Sequence, residues 1–137
     1  MDNIINEILQ ELFDNYLANG AELVNLYEII ESKSGDPDAV IANLVDMGFI
    51  RNRQHYRAAI SVDGITEINP NYFSQCANKV VEHAKSNGGY TTVVTAFGVT
   101  GFMVASDIGN YIKNNKERYI GVTVQSEGSN DVRIFIR

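Results

Sequence analysis

Apolar residues recur every three or four positions over the first third of the chain. Over residues 3–19 they share one side, and acidic and amide residues occupy the other, which predicts a helix ending at Asn19-Gly20. A similar stripe predicts a second helix over residues 21–32. Asp36 followed by Pro37 is typical of a helix start, so a third helix is expected over residues 36–47, with Gly48 ending it. Three helices are therefore predicted before residue 49.

The pattern then changes to short runs with a period of two. Residues 49–51 and 56–60 are expected to be strands joined by residues 52–55, with Arg57 pointing outward. Ser61 is placed to cap a short helix that ends at Ile68. A further helix is expected over residues 69–87, with Asn69 capping it, Pro70 opening it and a glycine pair closing it.

Residues 90–118 fit two interpretations. Their β-branched residues and glycines favour strands, yet apolar residues from Val94 to Ile112 form a continuous helical stripe. A helix over residues 92–114 is favoured, and a short hairpin followed by a helix from Ser106 is the alternative.

The end of the chain alternates clearly. Ile120, Val122 and Val124 alternate with other residues before the turn SEGSND, and three further apolar residues alternate after it. This pattern predicts a β-hairpin. The sequence shows no internal repeat. The expected fold class is α+β and mainly helical, with one part at residues 1–69 and a helix, helix and β-hairpin extension at residues 70–137. We expect the two parts to pack as one body.

Charge is distributed unevenly along the 137 residues. Residues 1–73 hold 12 acidic and 4 basic residues, a net charge of −8, and residues 74–137 hold 5 acidic and 7 basic residues, a net charge of +2. An acidic surface repels a phosphate backbone. The start of the chain lacks the basic and apolar character of a signal peptide, and the longest apolar window is too short to cross a membrane. A cytoplasmic protein without membrane contact is expected.

Residues 3–69 resemble the winged helix-turn-helix superfamily. The resemblance rests on three helices, the helix end LVDMGFI at residues 44–50 and the segment YRAAISVDG at residues 56–64. It implies that the third helix enters a DNA major groove and that the hairpin forms a wing. The third helix departs from that role because its solvent-facing candidates include no Arg or Lys and consist of Asp38, Ala39, Ala42, Asn43 and Asp46. Among these, Asn43 is suited to reading an adenine.

The wing carries the most suggestive cluster of side chains. Arg51, Arg53, His55 and Arg57 lie within seven residues and are suited to clamping phosphates or entering a minor groove. In a fully extended strand they share one face, although a turn breaks that register. The alternative interpretation is a solvated hairpin tip that offsets nearby acids.

A second basic set lies near the end of the chain, interleaved with Tyr119 and Phe135. Such a mixture is suited to holding nucleic acid, and it is equally typical of the outer face of a half-buried hairpin. The set consists of Lys113, Lys116, Arg118, Arg133 and Arg137.

The sequence offers little support for catalysis. Two histidines and Cys76 show no metal-ligand spacing, and Cys76 falls on an apolar helix stripe, so no catalytic residue, metal or cofactor is expected. The leading hypothesis is a non-enzymatic winged-helix regulatory protein, a homo-oligomer that contacts duplex DNA through the wing rather than the third helix. The rival hypothesis is an acidic interaction module that binds a basic protein partner and no nucleic acid.

Overall fold

The computed structural model describes residues 2–33, 35–98, 102–126 and 132–137. Over these residues the protein has seven helices and two three-stranded antiparallel sheets. The expected α+β class with predominant helix is confirmed. The chain divides into two compact units, Met1–Pro70 and Asn71–Arg137. Packing of the two parts as one body stays a prediction.

The first unit places one sheet against its long first helix. The sheet order is β1-β3-β2, and the helix packs on β3 and on the last helix of the unit with Ile5, Ile8, Leu9 and Leu12 buried. Its elements are α1 (Asp2–Asn19), β1 (Val24–Asn25), α2 (Leu26–Ser32), α3 (Pro37–Asp46), β2 (Ile50–Gln54), β3 (Arg57–Ile60) and α4 (Val62–Ile68).

The predicted second helix begins later than expected. Residues 21–32 were expected to be helical throughout, but Val24 and Asn25 form β1 and pair with Ala58 and Arg57 of β3. The Asn25 side chain then accepts a hydrogen bond from the Glu28 backbone N–H at 3.3 Å and caps α2. The cap and the strand pairing together exclude helix before Leu26.

The first hairpin has a tighter tip than the pattern predicts. Strand β2 extends to Gln54, so the connection is two residues rather than four, and the pairing register shifts between Arg51 and Gln54. Asn52 and His55 both adopt φ of +56°, a conformation that is uncommon outside glycine. After the hairpin, the Ser61 hydroxyl accepts from the Gly64 N–H at 3.0 Å, so the predicted cap of α4 is confirmed.

The second unit has its own sheet, in the order β4-β6-β5. Its first helix starts at Tyr72, after Asn71, and the predicted start at Asn69-Pro70 is wrong. The Asn69 N–H donates to the Ile65 carbonyl and so belongs to the end of α4. The elements of this unit are α5 (Tyr72–Ser86), β4 (Tyr90–Thr92), α6 (Val93–Phe97), α7 (Phe102–Asn114), β5 (Val122–Ser126) and β6 (Val132–Ile136).

The described residues of the segment 90–118, which are 90–98 and 102–118, form a strand and two helices. The favoured interpretation is confirmed in its helical character and its end at Asn114 but not as one continuous helix, and the alternative hairpin is wrong. Thr92 ends β4 and caps α6 by accepting from the Thr95 N–H at 3.0 Å, and Gly98 ends α6 with φ of +65°. Helix α7 starts at Phe102, earlier than the alternative placed it. Strand β4 pairs with β6, and the predicted hairpin strands pair in the register Val124 to Ile134. The predicted turn SEGSND begins at Ser126, which ends β5, and its other residues, 127–131, lie outside the described residues.

Helix α7 approaches the second sheet closely at Gly109. A Cβ atom at this position would lie 2.7 Å from Val132 Cγ1 and 3.2 Å from Val124 Cγ1. A Cβ at this position would therefore force the Val132 side chain or the helix itself to shift.

Both units share one order of elements. Over the described residues each runs helix, strand, helix, helix, strand, strand, with α4 following in the first unit, and in each sheet the third strand lies between the first and the second. This topological repeat has no counterpart in the sequence pattern.

Candidate functional site

The tip of the first hairpin brings three of the predicted site residues together. Arg53, His55 and Arg57 are all exposed, and with exposed Tyr56 we call them the tip cluster. Arg53 Nε donates to the His55 carbonyl at 2.8 Å, and the Arg57 guanidinium carbon lies 5.9 Å from the centroid of the Tyr56 ring. Residues 50–60 include no acid, so the tip is a compact cationic surface on an acidic unit.

Arg51 is held apart from the tip cluster. Its Nε donates to the Ile60 carbonyl at 2.8 Å, and its guanidinium carbon lies 5.8 Å from the ring centroid of buried Tyr16 in α1. The register shift between Arg51 and Gln54 breaks the common face of the four basic residues. Arg51 therefore ties β2 to β3 and to α1.

Tyr27 links the tip cluster to the start of α3 and was missed as a site residue. Its hydroxyl donates to Asp38 Oδ1 at 2.6 Å, and its ring centroid lies 5.3 Å from that of Tyr56. The hydrogen bond to Asp38 raises the pKa of Tyr27, burial and the Asp38 charge add to this, and the Arg53 charge opposes it. In the sequence Tyr27 fits the apolar stripe of its helix, so no signal set it apart.

Helix α3 exposes the residues that the sequence predicts. Asp38, Ala39, Ala42 and Asp46 are exposed and Asn43 is half-buried, so the face that a groove-reading helix presents is acidic or small. Asp38 is engaged by Tyr27. The structure thus separates a cationic hairpin tip from an acidic third helix within the same unit.

The second basic set is divided by the structure. Lys113, Lys116 and Arg137 line one groove of about 680 Å³, together with apolar residues of the segment before β5 and of β5 itself. Arg118 shares a smaller depression of about 320 Å³ with the two lysines and donates to the Tyr111 hydroxyl at 3.0 Å. Arg133 stands apart in β6, opposite Thr92 and Gln125. Contact of this set with nucleic acid stays a prediction.

Two aromatic residues near this set are not free for stacking. Tyr119 was expected on the outer face but is buried, and its hydroxyl donates to Asn78 Oδ1 at 2.9 Å, while burial raises its pKa. Phe135 is half-buried, with its ring centroid 5.0 Å from that of Tyr90. Tyr119 still lines the groove, but its burial leaves the exposed lining mainly cationic and aliphatic.

Cys76 and His83 both lie on α5. Cys76 is buried, and burial raises the pKa of its thiol, while the Tyr72 hydrogen bond and Lys79 oppose this. His83 Nδ1 lies 2.8 Å from the Thr91 hydroxyl. Among the described residues, no group of three or more His, Cys, Asp or Glu side chains is placed to hold a metal ion. No helix in the described ranges has the length and apolar character needed to cross a membrane.

Compared with family models, with curated proteins and with solved structures, the chain gives no match.

Proposed function

We propose that the protein is a non-enzymatic regulatory protein with two winged-helix units, and that it contacts duplex DNA through the tip cluster. The order of elements supports the fold part of this proposal. Three helices interleaved with a first strand and followed by a hairpin, with the sheet order first-third-second, occur in both units. On this view β2–β3 and β5–β6 are the two wings.

The charge separation in the first unit is the observation that supports the hairpin tip as the contact surface. Arg53, His55 and Arg57 are exposed at a hairpin tip without acids, while α3 exposes Asp38 and Asp46. Cationic side chains on a narrow tip fit phosphates or a minor groove, and acids near a groove-reading helix repel the backbone. The hairpin tip is therefore favoured over α3 as the contact.

The salt dependence of duplex binding tests the proposal. Fluorescence anisotropy on a short random-sequence duplex, recorded from low to moderate salt, gives the slope of log K against log salt. This slope is negative, and each lost phosphate contact reduces its magnitude by about 0.9, so Arg53→Ala/Arg57→Ala is expected to reduce the magnitude by about 1.8 if each arginine makes one contact. Lys33→Ala/Lys79→Ala removes the same charge from outside the tip cluster and is the matched control.

Two results in the binding experiment would contradict the proposal. Binding that survives Arg53→Ala/Arg57→Ala but is lost on Asn43→Ala would assign the contact to α3. Equal losses of duplex affinity in the tip variant and in the lysine control would mean that binding depends only on the net charge of the protein.

A second candidate function is an acidic module that binds a basic protein partner. The first unit has a net charge of −8. It also exposes Val45 and Met47, and Met47 lines a depression of about 270 Å³ with Ile5, Asn6, Phe49 and Glu67. Apolar residues with the acid Glu67 beside them, on a unit that is acidic as a whole, suit a basic segment with an apolar anchor. Absence of duplex binding at low salt, together with saturable binding of a basic peptide that Met47→Asp abolishes, would favour it.

Self-association belongs to the same proposal and stays a prediction. Sedimentation equilibrium over a range of protein concentrations measures it directly. A mass equal to one chain at all concentrations would contradict the expected homo-oligomer.

A further inference from the structure

The groove in the second unit lies along the open edge of a sheet. In the order β4-β6-β5, β5 is an edge strand with β6 as its one strand neighbour in the described part of the chain. The groove runs beside this strand, between Val122–Val124 and the end of α7 at Ile112 and Lys113. We propose that it binds an acidic peptide in extended conformation, which adds to β5 as a fourth strand.

The backbone of β5 is oriented for such an addition. The Arg137 N–H donates to the Gly121 carbonyl, so these two residues form a hydrogen-bonded pair at the start of the ladder. Hydrogen-bonded pairs alternate in an antiparallel ladder, so Thr123 and Gln125 also direct their backbone groups to β6. Val122 and Val124 then direct their carbonyls, and Val124 its N–H, toward the groove. These are the groups that an added strand pairs with.

The charge around the groove selects an acidic occupant. Lys113, Lys116 and Arg137 line it, and none of the described residues that line it is Asp or Glu. Both lysines and the arginine are exposed. A carboxylate on a peptide lying along β5 meets these cations from an open edge, where each ion pair raises the affinity by about 1.4- to fivefold.

Apolar residues also line the groove, beside Asn114 and Thr123, and they favour a peptide over a nucleic acid. Ile120 is 85% exposed at one end of the groove, and Val122 and Val124 are half-buried along it. Successive side chains of an added strand point to opposite faces, so a peptide of alternating acidic and β-branched residues directs all its carboxylates to the face that holds the two lysines, while its β-branched residues favour the extended conformation. A phosphate backbone uses neither the strand edge nor Ile120. The inference concerns the second unit and does not depend on DNA contact by the first.

Peptides methylated on alternate amides test strand addition specifically. The probe is a fluorescent peptide of alternating Glu and Val, in three forms: unmodified, N-methylated at odd amides and N-methylated at even amides. Only one of the two amide sets points toward β5 in an added strand, so one methylated peptide is expected to bind like the unmodified probe and the other at least tenfold more weakly. Anisotropy with the full-length protein measures all three affinities.

Charge variants and a nucleic-acid competitor complete the test. Lys113→Ala/Lys116→Ala is expected to lower the affinity for the unmodified peptide about fivefold. Lys33→Ala/Lys79→Ala changes two lysines outside the groove lining and is expected to leave that affinity unchanged. Equal binding of the two methylated peptides would overturn strand addition in favour of plain ion pairing. Displacement of the peptide by an oligothymidylate that binds more tightly would make the groove a nucleic-acid site. Absence of binding by either probe would mean that the lysines only protect the edge from pairing.

Discussion

Replacing Arg51 separates stability from binding within the first hairpin. Arg51 lies two positions from Arg53 on the same strand, yet its Nε–H bonds the Ile60 carbonyl at 2.8 Å and its guanidinium packs near Tyr16 at 5.8 Å. A hydrogen bond from a charged donor contributes about 1.5–3 kcal/mol and a partly exposed cation–π contact about 0.5–1 kcal/mol. Because Arg51 is partly exposed to solvent, we expect Arg51→Ala to lower the free energy of unfolding by about 2 kcal/mol.

Urea denaturation read by NMR measures this change in the first unit. The chain divides into two units, and separate unfolding of each would make a single global transition ambiguous, so amide peaks from residues 2–70 provide the readout. Arg53→Ala is the matched control, because Arg53 is exposed and bonds only locally at the tip, and its change is expected to stay within about 0.5 kcal/mol. Arg51→Lys keeps the charge but loses the Nε–H donor and should fall between the two.

Arg51→Ala and Arg53→Ala should affect duplex affinity in the opposite order from stability. Arg51→Ala, measured where it remains folded, should retain duplex affinity, and Arg53→Ala should lose part of it. Equal loss of stability in the two alanine variants would refute the structural role of Arg51. Loss of affinity in Arg51→Ala alone would refute the assignment of the tip cluster.

Three further predictions concern packing and ionisation. Gly109→Ala should destabilise the second unit by about 1–2 kcal/mol in thermal unfolding, since the clash with the sheet exceeds the gain in helix propensity, whereas Asn110→Ala on the exposed side of α7 should not. Asp38→Asn should lower the pKa of Tyr27 in an NMR titration, because the raised value depends first on the hydrogen bond to Asp38. The raised pKa also means that this contact stabilises the fold below pH 10.0, the unperturbed value, and that its contribution is lost as pH rises through the native pKa. Cys76 should react slowly with a disulfide reagent in the native protein and much faster in urea, since burial raises its thiol pKa and blocks access.

Each of these predictions has a clear contrary result. A stabilised Gly109→Ala protein would mean that α7 does not approach the sheet as closely as described. An unchanged Tyr27 titration in Asp38→Asn would remove the link between the tip cluster and α3. Equal thiol reactivity with and without urea would place Cys76 at the surface.

Local sequence patterns predicted most helices because each depends on a stripe and a cap within a few residues. The ends of α1 and α3 and the Ser61 cap follow from such signals. Strand β1 does not, because two residues have no periodicity and Val24–Asn25 is extended only through pairing with β3, more than thirty residues away. Strand β4 is similar, since its partner β6 lies about forty residues further along.

The candidate site, too, could be predicted only in part, because strand register and strand order are not visible in local sequence patterns. The sequence placed Arg51, Arg53, His55 and Arg57 in one cluster, since their spacing alone cannot reveal a register shift. The shift turns Arg51 inward and leaves the other three at the tip. The edge position of β5, on which the groove depends, requires the order β4-β6-β5, and that order became visible only once β4 was found beside β6.

Chemical-shift mapping with a short duplex tests the central claim most directly. On titration at low salt, the account predicts that within the first unit the largest shifts occur in the backbone amides of residues 52–57, with little change at Ala39, Ala42 and Asp46 on the exposed face of α3. The largest shifts on α3, or no shift in the first unit at a duplex concentration that saturates anisotropy, would contradict DNA contact through the tip cluster.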